Sequence, residues 1–271
     1  MPCPGYDPEV NAGQARDEWM KRTGPFYPLL VAFRLHSNLP LASDLEPSSD
    51  DLQRAAPWTI AAGAITGAGL AFVAAILLRT PLVPAISATL LIALWIFASG
   101  AFAEKGMLRL LSRTFAGGAA IGSGHLLAAV LLRLGLVIGT APESWTAALV
   151  VSAVAGRLAY LISLRPPWSL LGSAHGGGPA EDAAAQENPL ARGLTPFRWA
   201  VVAAVVLLTN VALAGGWGMV ILSFSAAIGA VGHRFAARSS SAAVVGAAEL
   251  IALVIVAASS PALVSPLIAG P

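Results

Sequence analysis

Seven long apolar stretches, broken by short polar connections, dominate this chain and point to a helical membrane bundle. A bilayer core of about 30 Å is crossed by roughly 17–25 apolar residues in a helix. The stretches that reach or approach this length are Trp58–Leu78, Leu82–Ala103, Ala119–Gly139, Trp145–Leu164, Trp199–Ala214, Trp217–Gly232 and Ala242–Ala258. Composition agrees. Only 11% of the 271 residues are charged and the mean hydropathy is +0.74, whereas a soluble domain carries charge on about a quarter of its residues. The expected fold class is all-α, a polytopic bundle of about seven transmembrane helices. The last three stretches are short, so tilt or local bilayer thinning is expected to accommodate them. Trp58, Trp145, Trp199 and Trp217 open four of the stretches, as suits a residue favoured at headgroup depth.

Lys and Arg set the expected orientation. The loops 104–118, 165–198 and 233–241 hold eight of them, against Arg79 alone in the connections 79–81, 140–144 and 215–216. The positive-inside rule then puts the N-terminus in the cytoplasm and the C-terminus outside. On this reading residues 1–57 form a cytoplasmic tail and 58–258 the transmembrane domain. Residues 165–198 form a flexible cytoplasmic loop, and 259–271 an external tail. The patch Phe26–Leu35 is too short to span and reads as an interfacial helix. The expected location is a bacterial-type inner (plasma) membrane, with the lipid bilayer as partner. A net charge of +2, with no basic run interleaved with aromatics, excludes a nucleic-acid surface. Cys3 is the single cysteine, so no internal disulfide framework or cysteine zinc site is expected. No basic, apolar, then small-residue pattern precedes Trp58, so no cleaved leader is expected.

Charged groups inside lipid are costly and are functional candidates by default. Arg133, Arg157 and Glu249 are the three that fall within the stretches. Arg133 lies about 10 Å from the outer end of its span and is expected to snorkel outward. Arg157 and Glu249 each lie eight residues from a cytoplasmic boundary, at Arg165 and Ser241, which places both about 12 Å deep. They can neutralise each other as a structural pair, or line a cavity facing the cytoplasm. If the second helix continues inward, Lys105, Arg109 and Arg113 share one face. That stripe is a candidate phosphate site or an anchor on anionic headgroups. His36, His125, His175 and His233 are scattered, so no metal site is expected. Ser123 resembles a nucleophile elbow only superficially, without strand, turn, helix or acid. No phosphate-binding or dinucleotide glycine loop occurs. Gly63, Gly67 and Gly69 are expected to let helices approach closely.

Several fragments, in order, carry a resemblance. They are Ser37-Asn38-Leu39-Pro40-Leu41, Gly100-Ala101-Phe102-Ala103-Glu104-Lys105-Gly106-Met107-Leu108-Arg109, Ala119-Ala120-Ile121-Gly122-Ser123-Gly124, Gly156-Arg157, and Arg238-Ser239-Ser240-Ser241-Ala242-Ala243-Val244-Val245-Gly246-Ala247-Ala248-Glu249. In this order they resemble the cobalamin synthase family, the adenosylcobinamide-GDP ribazoletransferases, from about Leu29 to the end of the last stretch. The corresponding family segments read T-R-L-P-[VL], G-[AG]-[LF]-H-x-D-G-L-A-D, S-R-[IL]-G-[TS]-[YH], S-R and G-G-x-T-G-D-x-L-G-A-x-E. The resemblance implies a polytopic enzyme of the corrinoid nucleotide-loop pathway. Its reaction joins α-ribazole to a GDP-activated corrinoid and releases GMP, with Mg²⁺ as cofactor. A corrinoid nucleotide and other cobalamin-pathway membrane proteins are the partners implied. The polar positions on matched fragments are Glu104, Ser123, Arg157 and Glu249.

The departures bear on chemistry. The family's acidic segment suits a hard cation, which binds clustered carboxylates. Here Lys105, Arg109 and Ser112 stand at its aspartates, Ala103 at its histidine, and Ala243 at the aspartate of T-G-D. Two readings follow. Lys105 and Arg109 bind pyrophosphate in place of the metal and altered transfer survives, or the chain is a non-catalytic corrinoid- or nucleotide-binding scaffold. A small-solute transporter is a third reading, with neither a broken span nor an inverted repeat in its favour.

Overall fold

The computed structural model describes residues 17–18, 23–37, 46–99, 123–167, 188–234 and 241–259. A 3₁₀ turn, Gly24–Phe26, leads into α1 (Tyr27–His36), followed by α2 (Ser49–Ala55), α3 (Trp58–Leu77) and α4 (Pro84–Ser99). Next come α5 (Ser123–Gly139), α6 (Trp145–Leu164) and the short α7 (Pro189–Arg192). The chain finishes with α8 (Pro196–Ala214), α9 (Gly216–Arg234) and α10 (Ser241–Ser259). No strand occurs among the described residues.

Each of the seven apolar stretches contains a helix. Five helical segments are long and apolar enough to cross a membrane: Trp58–Leu77, Pro142–Leu164, Pro196–Ala214, Gly216–Arg234 and Ala242–Ser259. Pro84–Ser99 and Leu127–Gly139 are shorter apolar helices. The last three helices are longer than their apolar residues suggest, at 19 residues each. The Thr195 side chain caps α8 by accepting from the Arg198 N–H, and Pro196 opens the helix, so the first turn needs no apolar residue. At about 28 Å each, these helices do not require the tilt or thinning expected from the sequence. Gly215, at φ +55°, ends α8 and turns the chain straight into α9, a conformation glycine adopts without steric cost.

Helix α6 is the axle of the bundle. Every residue from Ala148 to Ser163 is buried, and α3, α9 and α10 make the most extensive packing against it. A helix apolar all round belongs inside, with its neighbours taking the lipid. Helix α8 shows the opposite behaviour, with Phe197, Val201, Val205, Leu208 and Val211 all exposed. The boundary tryptophans divide differently from expectation. Trp217 is exposed, but Trp145 and Trp199 are buried in protein, and the Trp145 indole N–H donates to the Val137 and Thr140 carbonyls at the end of α5. Trp145 therefore ties two helices together instead of marking a headgroup layer.

A small cap folds over one end of the bundle, where α3 and α8 begin and α6 ends. The expected helix over 26–35 is present as α1, with Tyr27, Val31 and Ala32 buried against α2 and α3. Ser48 and Asp51 form a capping box at the start of α2, satisfying two backbone donors reciprocally. The end of the 165–198 segment is ordered structure, correcting the expectation of a flexible loop throughout. Leu190, Ala191 and Leu194 are buried, and Gly193 lies so close to Gln53 that a Cβ would overlap its carbonyl oxygen. The Arg165 guanidinium donates to the Ala191 and Leu194 carbonyls. Arg198 donates to those of Gln53 and Gly193. Residues 168–187, and the tail from 260 onward, lie outside the described residues.

Candidate functional site

Three helices bring their charged residues to one point. Arg133 of α5 donates from Nη2 to Glu249 Oε2 of α10 at 2.7 Å. Arg157 of α6 places Nη1 3.8 Å from the other carboxylate oxygen, Oε1. All three side chains are at most 5% exposed. The pairing of Arg157 with Glu249 expected from equal depth is therefore present, but it is the looser of the two contacts.

Arg133 corrects the expectation that it snorkels outward. It is 1% exposed and its guanidinium carbon sits 4.7 Å from the centre of the Trp95 ring on α4, within cation–π range. Arg133 lies about 9 Å from the Gly139 end of α5, and Glu249 and Trp95 stand on its inner side. Glu249 lies about 12 Å from its own end on α10. The two residues therefore meet near mid-depth.

Two glycines make room for the cluster. A Cβ on Gly63 of α3 would lie 2.7 Å from Arg157 Cγ, and one on Gly156 would lie 2.7 Å from Glu249 Cγ. Close approach at these positions is required by the ion pair itself. Gly67 also packs tightly on α6, but Gly69 faces open space, so only two of the three α3 glycines work as expected.

His36 and Tyr160 were not among the expected site residues. The His36 ring stands edge-on to Tyr160, with centroids 4.9 Å apart and planes at 84°. Burial, and secondarily the Arg157 charge, holds the His36 imidazole well below its ordinary pKa, so it is neutral at physiological pH. His36 closes the apolar patch of the tail, and no local pattern reveals that its ring meets Tyr160 of α6. Lys105, Arg109, Arg113 and Glu104 lie outside the described residues, and so does the side chain of Ser123, the first residue of α5. No group of three or more His, Cys, Asp or Glu able to hold a metal occurs among the described residues. A single carboxylate held between two guanidiniums is a poor ligand for a hard cation, which would have to displace both.

Fold and cluster together define a class: an all-helical, multi-pass membrane bundle with a buried Arg–Glu–Arg cluster. No protein-family model, curated protein or solved structure matches the chain.

Proposed function

We propose that the chain is a cobalamin synthase-like membrane protein of the corrinoid nucleotide-loop pathway, in which Mg²⁺-dependent ribazole transfer is impaired or lost. The observation that carries this reading is the meeting of Arg157 and Glu249 at 3.8 Å. These residues sit on two separate fragments that resemble the family's, far apart in sequence, and the fold brings them together. Against retained catalysis stand Lys105, Arg109 and Ser112 at the positions of the acidic segment. Near neutral pH a lysine or arginine offers a metal only repulsion. Two cationic side chains can hold a phosphate, but they do not bridge its oxygens as charge develops in the transition state. The role that remains is that of a non-catalytic membrane component binding a corrinoid or a nucleotide-linked ligand.

The assay measures GMP release from adenosylcobinamide-GDP and α-ribazole, with and without Mg²⁺, beside an intact family member. The expected result is no Mg²⁺-stimulated turnover. A rate within about tenfold of the intact enzyme, a barrier difference of about 1.4 kcal/mol, would overturn the loss of transfer. Complementation of a strain lacking cobalamin synthase, with and without aspartates restored at 105 and 109, tests the same point in cells.

The proposed topology has seven spans in a bacterial-type inner membrane, with the N-terminus inside and the C-terminus outside. Both shorter helices are counted as spans because α5 contributes Arg133 to the centre of the bundle and α4 contributes Trp95 beside it. Reporter fusions after Arg113 and after Gly139 are expected to lie on opposite sides of the membrane. The same side for both would remove α5 from the spans.

A further inference from the structure

Among the described residues, Arg133 and Arg157 both pair with Glu249, and the nearby His36 is neutral. Arg133 is well provided for, with a 2.7 Å bond to Glu249 and the face of Trp95 beneath it. Arg157 is not. Its nearest carboxylate oxygen is 3.8 Å away, beyond hydrogen-bond distance. Its Nε–H is buried and has no acceptor among the described residues. Leaving such a donor unsatisfied has a real cost, larger still for a charged group, and is most simply explained by an acceptor that joins the site.

We propose that the Arg157 guanidinium is the receptor for a phosphate or phosphoester oxyanion that enters beneath α1. The guanidinium fork matches two phosphate oxygens at once, which a point charge does not. Tyr160 lies one turn along the same face of α6, towards the Leu164 end, and can serve a third oxygen of a tetrahedral anion where a planar carboxylate has none left. His36 stands against Tyr160, so α1 is the element that covers this approach. Being neutral, His36 neither replaces the anion nor pairs with it by charge. The Arg133–Glu249 pair closes the far side. This site is separate from the Lys105, Arg109 and Arg113 stripe, and it does not depend on the corrinoid reading.

The test uses the purified full chain in neutral detergent. Thermal stability is titrated with sodium phosphate against sodium chloride at matched ionic strength. Phosphate is expected to raise the melting temperature by several degrees more than chloride. The gain should be larger in His36→Ala, where the cover is cut back, and absent in Arg157→Gln. Arg79→Gln, which removes an exposed charge, should behave as wild type. If Arg157→Gln does not fold, Arg157→Lys takes its place and should bind phosphate about tenfold more weakly. Repeating the titration in nanodiscs with and without phosphatidylglycerol identifies the source. Loss of the phosphate effect only when the anionic lipid is present makes the ligand a headgroup, and persistence makes it a free phosphate compound. Equal responses to phosphate and chloride in both wild type and His36→Ala would overturn the proposal. So would a phosphate effect that survives undiminished in the Arg157 variant.

Discussion

Glu249→Gln is expected to destabilise the folded bundle by about 3–5 kcal/mol, the usual cost of removing one partner of a buried ion pair. The substitution keeps the shape of the side chain but removes the carboxylate that Arg133 and Arg157 share. Both guanidiniums then lose that counter-charge in a low-dielectric interior. An ordinary hydrogen bond between membrane helices contributes only about 0.6 kcal/mol on average, so the stranded charge decides the size of the effect. The geometry also ranks the partners. Adding Arg133→Gln to Glu249→Gln should recover much of the loss, because the tight 2.7 Å contact is with Arg133. Adding Arg157→Gln should recover less, since that contact is 3.8 Å. The check is a double-mutant cycle on unfolding in detergent. Strictly additive losses for Arg133 and Glu249 would show that the two residues do not interact.

Gly67→Ala is the second large effect, about 1–3 kcal/mol of destabilisation from overpacking. An added Cβ would lie 2.7 Å from the Val150 Cα and 2.9 Å from the Leu149 carbonyl oxygen. Both are backbone atoms of α6, so no side chain can swing aside and α3 must move off the axle. Gly69→Ala is the internal control. Nothing lies within 4 Å of its added Cβ, and alanine is the better helix former. It should leave stability unchanged or slightly raised. Equal losses at the two positions, read from thermal unfolding of the purified variants, would mean that α3 does not present Gly67 to α6.

These two glycines show where sequence reading reaches its limit. Gly63, Gly67 and Gly69 are alike as residues in an apolar run, yet only Gly63 and Gly67 meet α6. Which face of α3 turns inward depends on where α6 packs, and the composition of α3 holds no trace of that. The boundary of α8 was legible in principle. Thr195 followed by Pro196 is a helix start, but counting apolar residues alone misses the first turn.

The location of the seven helices follows from sequence alone. Apolarity over such lengths is local, and a backbone placed in lipid must satisfy its own hydrogen bonds, which a helix does within one segment. Depth is also local, since 1.5 Å per residue measures it along a single helix. That is why Arg157 and Glu249 could be matched before any fold was known. Direction around the helix axis is not local. Arg133 turned inward because Glu249 and Trp95 stand on its inner side, and His36 became a buried residue because its ring meets Tyr160 of α6. A charged side chain takes its partner from whichever helix the packing brings within about 4 Å, and only the assembled bundle sets that distance.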